Sequence, residues 1–276
     1  MPIPICATCG TEFPQGAYPS TCPICEDERQ FVGAGGQEWT SQEALRRSHR
    51  NAFKQEEPGL IGISVEPTFC IGQRALLVMT PEGNVLWDCV PMIDAATRTI
   101  IEALGGITAI AISHPHFYSA MVSWSEAFGD VPILLHEADR DWVMRPSKAI
   151  RFWSGDTTEV LPGLTAIRAG GHFAGSSVLH WTDGAGGNGA LLTGDTVQVA
   201  PDQRHVSFMR SYPNGVPLSA YVVGRLVERI EPFRFDRIYG GFWGRVIREN
   251  ARRAVAQSAA RYIDAVKGRG PADFEE

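Results

Sequence analysis

Short apolar runs separated by turn residues dominate the chain from residue 58 onward. Leu60 to Val65, Ala75 to Met79 and, after the turn Pro81-Glu82-Gly83-Asn84, Val85 to Trp87 have the length of strands, and their succession predicts antiparallel hairpins. The rhythm then changes. A helix is predicted from Ala95 to Leu104, a buried strand through Ile112, a helix from Ala120 to Phe128 and a strand from Ile133 to Leu135. This alternation implies an α/β layer packed on the first sheet. Strands are predicted at Leu164 to Arg168, Ser177 to Trp181 and Ala190 to Thr193, with Gly184 to Gly189 as a hairpin turn. The next stretch, about 20 residues carrying Pro201, Pro213, Asn214, Gly215 and Pro217, reads as a lid or binding loop, since so long a loop inside a compact domain usually has a function. Helices from Leu218 to Ile230 and from Val246 to Val266 flank a last strand, Arg237 to Tyr239.

The first 36 residues have a different character. They are rich in Cys, Pro and Gly, and Gly33-Ala34-Gly35-Gly36 forms a hinge into a short helix start at Trp39 to Glu43. Residues 1–36 are therefore taken as a separate segment and 37–276 as the main domain. Cys6-Ala7-Thr8-Cys9 and Cys22-Pro23-Ile24-Cys25 have the spacing of two zinc knuckles that close one tetrahedral site. Four thiolates leave no open position, so the expected zinc is structural. A segment this short cannot bury enough surface to fold without such a staple. Iron held as in rubredoxin and a pair of disulfides are the alternatives. The spacer between the pairs is much shorter than a rubredoxin's.

The strongest candidate for chemistry is the end of the strand through Ile112, where His114 and His116 follow one residue apart in Ser113-His114-Pro115-His116. Two neutral imidazoles there can grip one metal. Two later segments add ligand-type side chains next to strands: Gly170-Gly171-His172-Phe173-Ala174-Gly175-Ser176 and Leu191-Leu192-Thr193-Gly194-Asp195. In order and spacing, these motifs resemble the metallo-β-lactamase superfamily across residues 58–250. The resemblance implies a four-layer αββα sandwich with a metal site at the edge of its two sheets. By the same resemblance, His114, His116 and His172 hold the first zinc, Asp195 matches the metal-bridging aspartate, and Asp88 matches an early aspartate that supports the metal loop.

The departures from the family pattern are systematic. Tyr118 and Ser119 stand where the family has an aspartate and a histidine, and no histidine occurs near Tyr239-Gly240-Gly241-Phe242-Trp243-Gly244. Val90 replaces a glycine after Asp88. All the missing ligands belong to the second metal. The resemblance therefore implies one zinc, whose bound hydroxide attacks an ester, thioester, lactone or amide. Asp195 serves as fourth ligand or general base, and Tyr118 as donor to a developing oxyanion. A non-catalytic binding module and a rubredoxin-like electron carrier are the competing readings.

Composition narrows the partners. At 44% hydrophobic and 20% charged the chain reads as a soluble globular protein, and a net charge of −6 argues against nucleic acid. No apolar run is long enough for a membrane span, and Met1 to Cys6 does not read as a signal peptide. A cytoplasmic protein acting on a small-molecule substrate is expected. His49, His136 and His180 read as ordinary polar residues, while His205 in the long loop is a lesser candidate for a ligand or substrate contact. Arg245, Arg248, Arg252 and Arg253 read as a solvated helix face broken by Glu249. Phe208, Tyr212, Phe242 and Trp243 are candidates to line a pocket or to pack.

Overall fold

Side-chain alternation along the strands divides each sheet between two cores. The computed structural model describes residues 2–269, so the end of the 37–276 domain lies outside the described residues. Seven strands form the first sheet in sequence order: β1 (Arg50–Glu57), β2 (Leu60–Glu66), β3 (Arg74–Thr80), β4 (Gly83–Trp87), β5 (Ala109–Ala111), β6 (Ile133–His136) and β7 (Ile150–Trp153). Pairing is antiparallel through β4 and parallel from β4 to β7. The second sheet has six strands, also in sequence order: β8 (Thr157–Leu161), β9 (Leu164–Arg168), β10 (Ser177–Trp181), β11 (Ala190–Gly194), β12 (Arg237–Gly240) and β13 (Val246–Ile247).

Leu76, Val78, Val85, Trp87 and Ala111 meet Leu179, Trp181, Leu192 and Tyr239 between the sheets. Their neighbours along the strands, Leu77, Leu86 and Ile110, face the other way and pack with Ile101 of helix α1 (Ala95–Ala103) and Trp124 of α2 (Met121–Ala127). On the far side, Val178, Leu191 and Ile238 pack on Val223 and Leu226 of α3 (Ala220–Ile230) and Val255 and Ala259 of α4 (Ala251–Val266). The layers are thus helices, sheet, sheet, helices, as the resemblance implied. Period-two alternation on strands buried on both faces is what produces two sheets with three cores.

The elements absent from the sequence reading are informative. β1, β7, β8 and β13 are the four sheet edges, and three of them carry polar residues that blunt an exposed edge: Lys54 and Gln55, Arg151, and Glu159. The expected helix from Val246 starts instead at Ala251, because Val246 and Ile247 pair with Tyr239 and Ile238 and Asn250 takes a left-handed φ of 57°. Trp39 and Thr40, expected to start a helix, pair back onto Cys6 and Ile5, which carries the N-terminal unit past residue 36. The short helix begins after them at Gln42, with Ser41 Oγ accepting from Ala44 N. No described helix is long and apolar enough to cross a membrane.

Candidate metal centre

Three strand ends deliver the four candidate ligands to one edge of the sandwich. His114 and His116 follow β5, His172 lies in the turn between β9 and β10, and Asp195 follows β11. All four are buried, and one ligating atom from each lies within 4.8 Å of the others. His116 Nδ1 and His172 Nε2 are 3.1 Å apart, and Asp195 Oδ1 is 3.0 Å from His114 Nε2 and 3.8 Å from His172 Nε2. His114 Nε2 and Asp195 Oδ1 are buried without an aligned hydrogen bond despite that short contact. Lone pairs packed this closely fit one cation such as zinc.

Neighbouring groups aim the rings. His114 Nδ1 lies 2.9 Å from Ser113 Oγ, and His172 Nδ1 lies 3.1 Å from the Met209 carbonyl oxygen. Each contact occupies one nitrogen and leaves the Nε2 lone pair for a metal. Asp88 accepts from Ser113 N at 2.7 Å and so holds the loop that carries His114. Burial pushes the Asp88 carboxyl up to about 7. Burial also drives His116 well below the usual histidine range and His172 down to about 4, which keeps both imidazoles neutral and able to ligate. At Asp195 burial opposes ionisation, but His114 and His172 beside it outweigh that effect and hold the carboxyl below its usual range.

Tyr118 and Ser119, at the positions where the family pattern has further ligands, are engaged elsewhere. Tyr118 is buried in the core beneath α2, with its hydroxyl 3.5 Å from the Asp139 carbonyl, and it does not line the cavity at the metal centre. The structure therefore does not bring the expected oxyanion donor to the site. Ser119 Oγ lies 3.4 Å from the carbonyl oxygen of Gly10, so the cysteine-rich segment covers this position. Gly10 has a φ of 82°, and a Cβ there would come within 2.9 Å of Ser119 Oγ and Pro91. Near β12, Trp243 packs over Gly62 and Arg74 where a late histidine was expected.

Cys6, Cys9, Cys22 and Cys25 form the second cluster. Their sulfurs approach to 3.6 Å (Cys6 to Cys25) and 3.7 Å (Cys9 to Cys22), close to the roughly 3.8 Å edge of a tetrahedron with zinc–sulfur bonds of about 2.3 Å. Sulfur-to-sulfur hydrogen bonds lower the Cys6 and Cys22 thiols and raise those of Cys9 and Cys25. None of the four is in a disulfide.

A cavity of about 240 Å³ lies against the histidines, lined by His116, His172, Asp195, Arg29, Gln30, Phe31, Ile71, Gln198, Tyr212, Pro213 and Phe242. The profile of the metallo-beta-lactamase superfamily matches residues 70–241. The chain belongs to the metallo-β-lactamase superfamily. It is 49% identical over 269 residues to an uncharacterized protein of Bacillus subtilis (strain 168), YmaE, covering 96% of this chain and 97% of that one. Among solved structures, the metallo-β-lactamase DIM-1 superposes with a TM-score of 0.59 at 12% identity, over 78% of this chain and 98% of that chain. FIM-1 from Pseudomonas aeruginosa, in its mono-zinc form, gives 0.55 at 16% identity over 76% and 95%. These two share the superfamily fold.

The other residues singled out in the sequence divide between the cavity and places away from it, and His136 and His180 are the ordinary polar residues expected. His205 is paired with Asp202 on an exposed loop outside the cavity, and His136 and His180 bond the carbonyls of Gly155 and Arg234. Tyr212 and Phe242 do line the cavity, whereas Phe208 is in the core beside α4 and Trp243 lies against β2. Arg29, Gln30 and Gln198 carry no motif and were not anticipated. The nearest signal for the first two is their place directly after the last knuckle cysteine.

Proposed function

We propose that this protein is a metal-dependent hydrolase that cleaves a small ester, thioester, lactone or amide with a single zinc ion at this site, held by His114, His116 and His172 with Asp195 beside its open fourth position. The carrying observation is the convergence of these four side chains on one point, while Tyr118 and Ser119 are engaged elsewhere. Zinc in such a site supplies a water whose pKa falls to about 7, together with Lewis acidity toward a carbonyl oxygen. A second zinc at the four cysteines has a structural role.

The chain's own residues supply the rest. Asp195 lines the cavity, stays anionic beside His114 and His172, and would accept a hydrogen bond that aims the attacking water. The Tyr212 hydroxyl donates to the Asp195 carbonyl at 2.9 Å and fixes the backbone that carries this carboxylate. Phe31, Ile71, Pro213 and Phe242 exclude bulk water from the bound acyl group.

The test is metal analysis joined to turnover of a panel of simple esters, thioesters and lactones. The reading expects two zinc ions per chain and an activity lost in Asp195→Asn with the metal retained. Two zinc ions with no turnover across the panel would favour a binding module built on the same fold.

A further inference from the structure

The cysteine-rich segment enters the cavity. Two residues after Cys25, Asp27 accepts from the backbone N of Arg29 at 3.0 Å and grips its guanidinium through Nε at 2.5 Å and Nη2 at 2.8 Å. That fork fixes the plane of the side chain. The guanidinium carbon lies 3.8 Å from the ring centroid of Phe173 and 5.1 Å from that of Trp142, and Nη1 lies 3.4 Å from the His172 carbonyl oxygen. Arg29 is thus held rigidly against the loop that carries a metal ligand, and it lines the cavity with Gln30 and Phe31. The far wall is tied to the same segment: Asn214 Nδ2 donates to the carbonyls of Glu28 and Gln30, both at 2.9 Å, and Arg210 Nε pairs with Glu28 at 2.6 Å.

Resting on the one-metal reading above, we propose that Arg29 is a specificity-determining residue that anchors a carboxylate carried by the substrate, so that the hydrolysed compound is a small monoanionic acid derivative. Asp27 occupies the Nε and Nη2 side of the guanidinium, and only the Nη1 side, with one long contact to His172, keeps donor capacity for a ligand. The charges agree with a monoanion. Among the groups that line the cavity, with Arg29 already paired to Asp27, a dication at the histidines and Asp195 leave one net positive charge before any ligand binds. A dianionic phosphate would leave an uncompensated negative charge in a buried site. The cavity also suits a compact molecule, with Gln30 and Gln198 as its other polar walls. Each has a buried side-chain oxygen without a hydrogen-bond partner.

Two thiols of nearly equal size test this in the zinc-loaded full chain by calorimetry: 3-mercaptopropionate and its neutral counterpart 3-mercaptopropionamide, whose sulfur seeks the histidine-held metal. The expected result is about tenfold tighter binding of the carboxylate by the unaltered protein, a preference that Arg29→Gln abolishes while leaving the amide affinity in place. Arg29→Lys should restore part of it. Retained amide binding and retained zinc in Arg29→Gln report an intact site. Equal binding of the two thiols by the unaltered protein, or an undiminished preference in Arg29→Gln, overturns the anchor and leaves the one-metal reading standing. Binding of neither thiol overturns the one-metal reading and the anchor with it.

Discussion

His116 Nδ1 and His172 Nε2 face each other across 3.1 Å inside the protein, with Asp195 Oδ1 3.8 Å from the latter. Two neutral ring nitrogens this close need a proton or a cation between them. Replacing His116 with alanine removes one of the three imidazoles of the proposed zinc site, and the expected outcome is a fall from two zinc ions per chain to one. Plasma emission analysis after gel filtration checks it. Cys9→Ser should produce the complementary loss, and a protein retaining both ions in either variant would refute the assignment of the corresponding site.

A glycine packs tightly against the loop that carries His114. Gly194 has a φ of 55°, and a Cβ there would lie 2.6 Å from Ser113 Oγ and 3.3 Å from Asp88 Oδ2. The Gly194→Ala variant therefore displaces Ser113, the group that fixes the His114 ring. Zinc affinity of this site is expected to fall by about 10- to 100-fold, the usual effect of losing an orienting partner, with the cysteine site unchanged. Competition against a chromogenic chelator measures both.

Placement at strand ends decides how much of the site is legible in the sequence. His114, His116, His172 and Asp195 are each placed by a strand end, and strands with two buried faces are the most conspicuous apolar runs in the chain. The central strands were legible for the same reason. β1, β7, β8 and β13 were not, because edge strands are short or polar and lose the pattern. Arg29 was hidden for a different reason. It reaches the cavity only because four cysteines fold their segment and Asn214 and Arg210 tie that segment to the far wall, and contacts between residues so distant in sequence leave no local mark.

A buried ion pair within the first sheet is tied to the second. Arg74 Nη1 meets Glu56 at 2.7 Å with both side chains inaccessible to solvent, and Arg74 Nε donates to the Gly240 carbonyl at 2.9 Å. Arg74→Met leaves the Glu56 carboxylate with only the half-exposed Lys54, 3.2 Å away. A loss of about 3 kcal/mol in urea unfolding is expected, since stranding one buried charge costs about 3–5 kcal/mol. Adding Glu56→Leu should recover part of that loss. A double variant less stable than Arg74→Met alone would contradict this account.

Asp139 gives the stability a pH dependence. Its carboxyl accepts from Gly175 N at 2.8 Å, and burial pushes it up to about 6 from an ordinary 3.8. The folded state therefore binds this proton more tightly than the unfolded chain does. The resulting stabilisation is complete below the unfolded value and is lost as pH rises through about 6. Asp139→Asn keeps an acceptor for Gly175 N but has no proton to lose. Relative to the unaltered protein, the variant is expected to gain stability between pH 5 and 8, by on the order of 2 kcal/mol. Thermal melts of the two proteins in parallel across that range measure the difference, and a difference that stays flat with pH would remove Asp139 as its source.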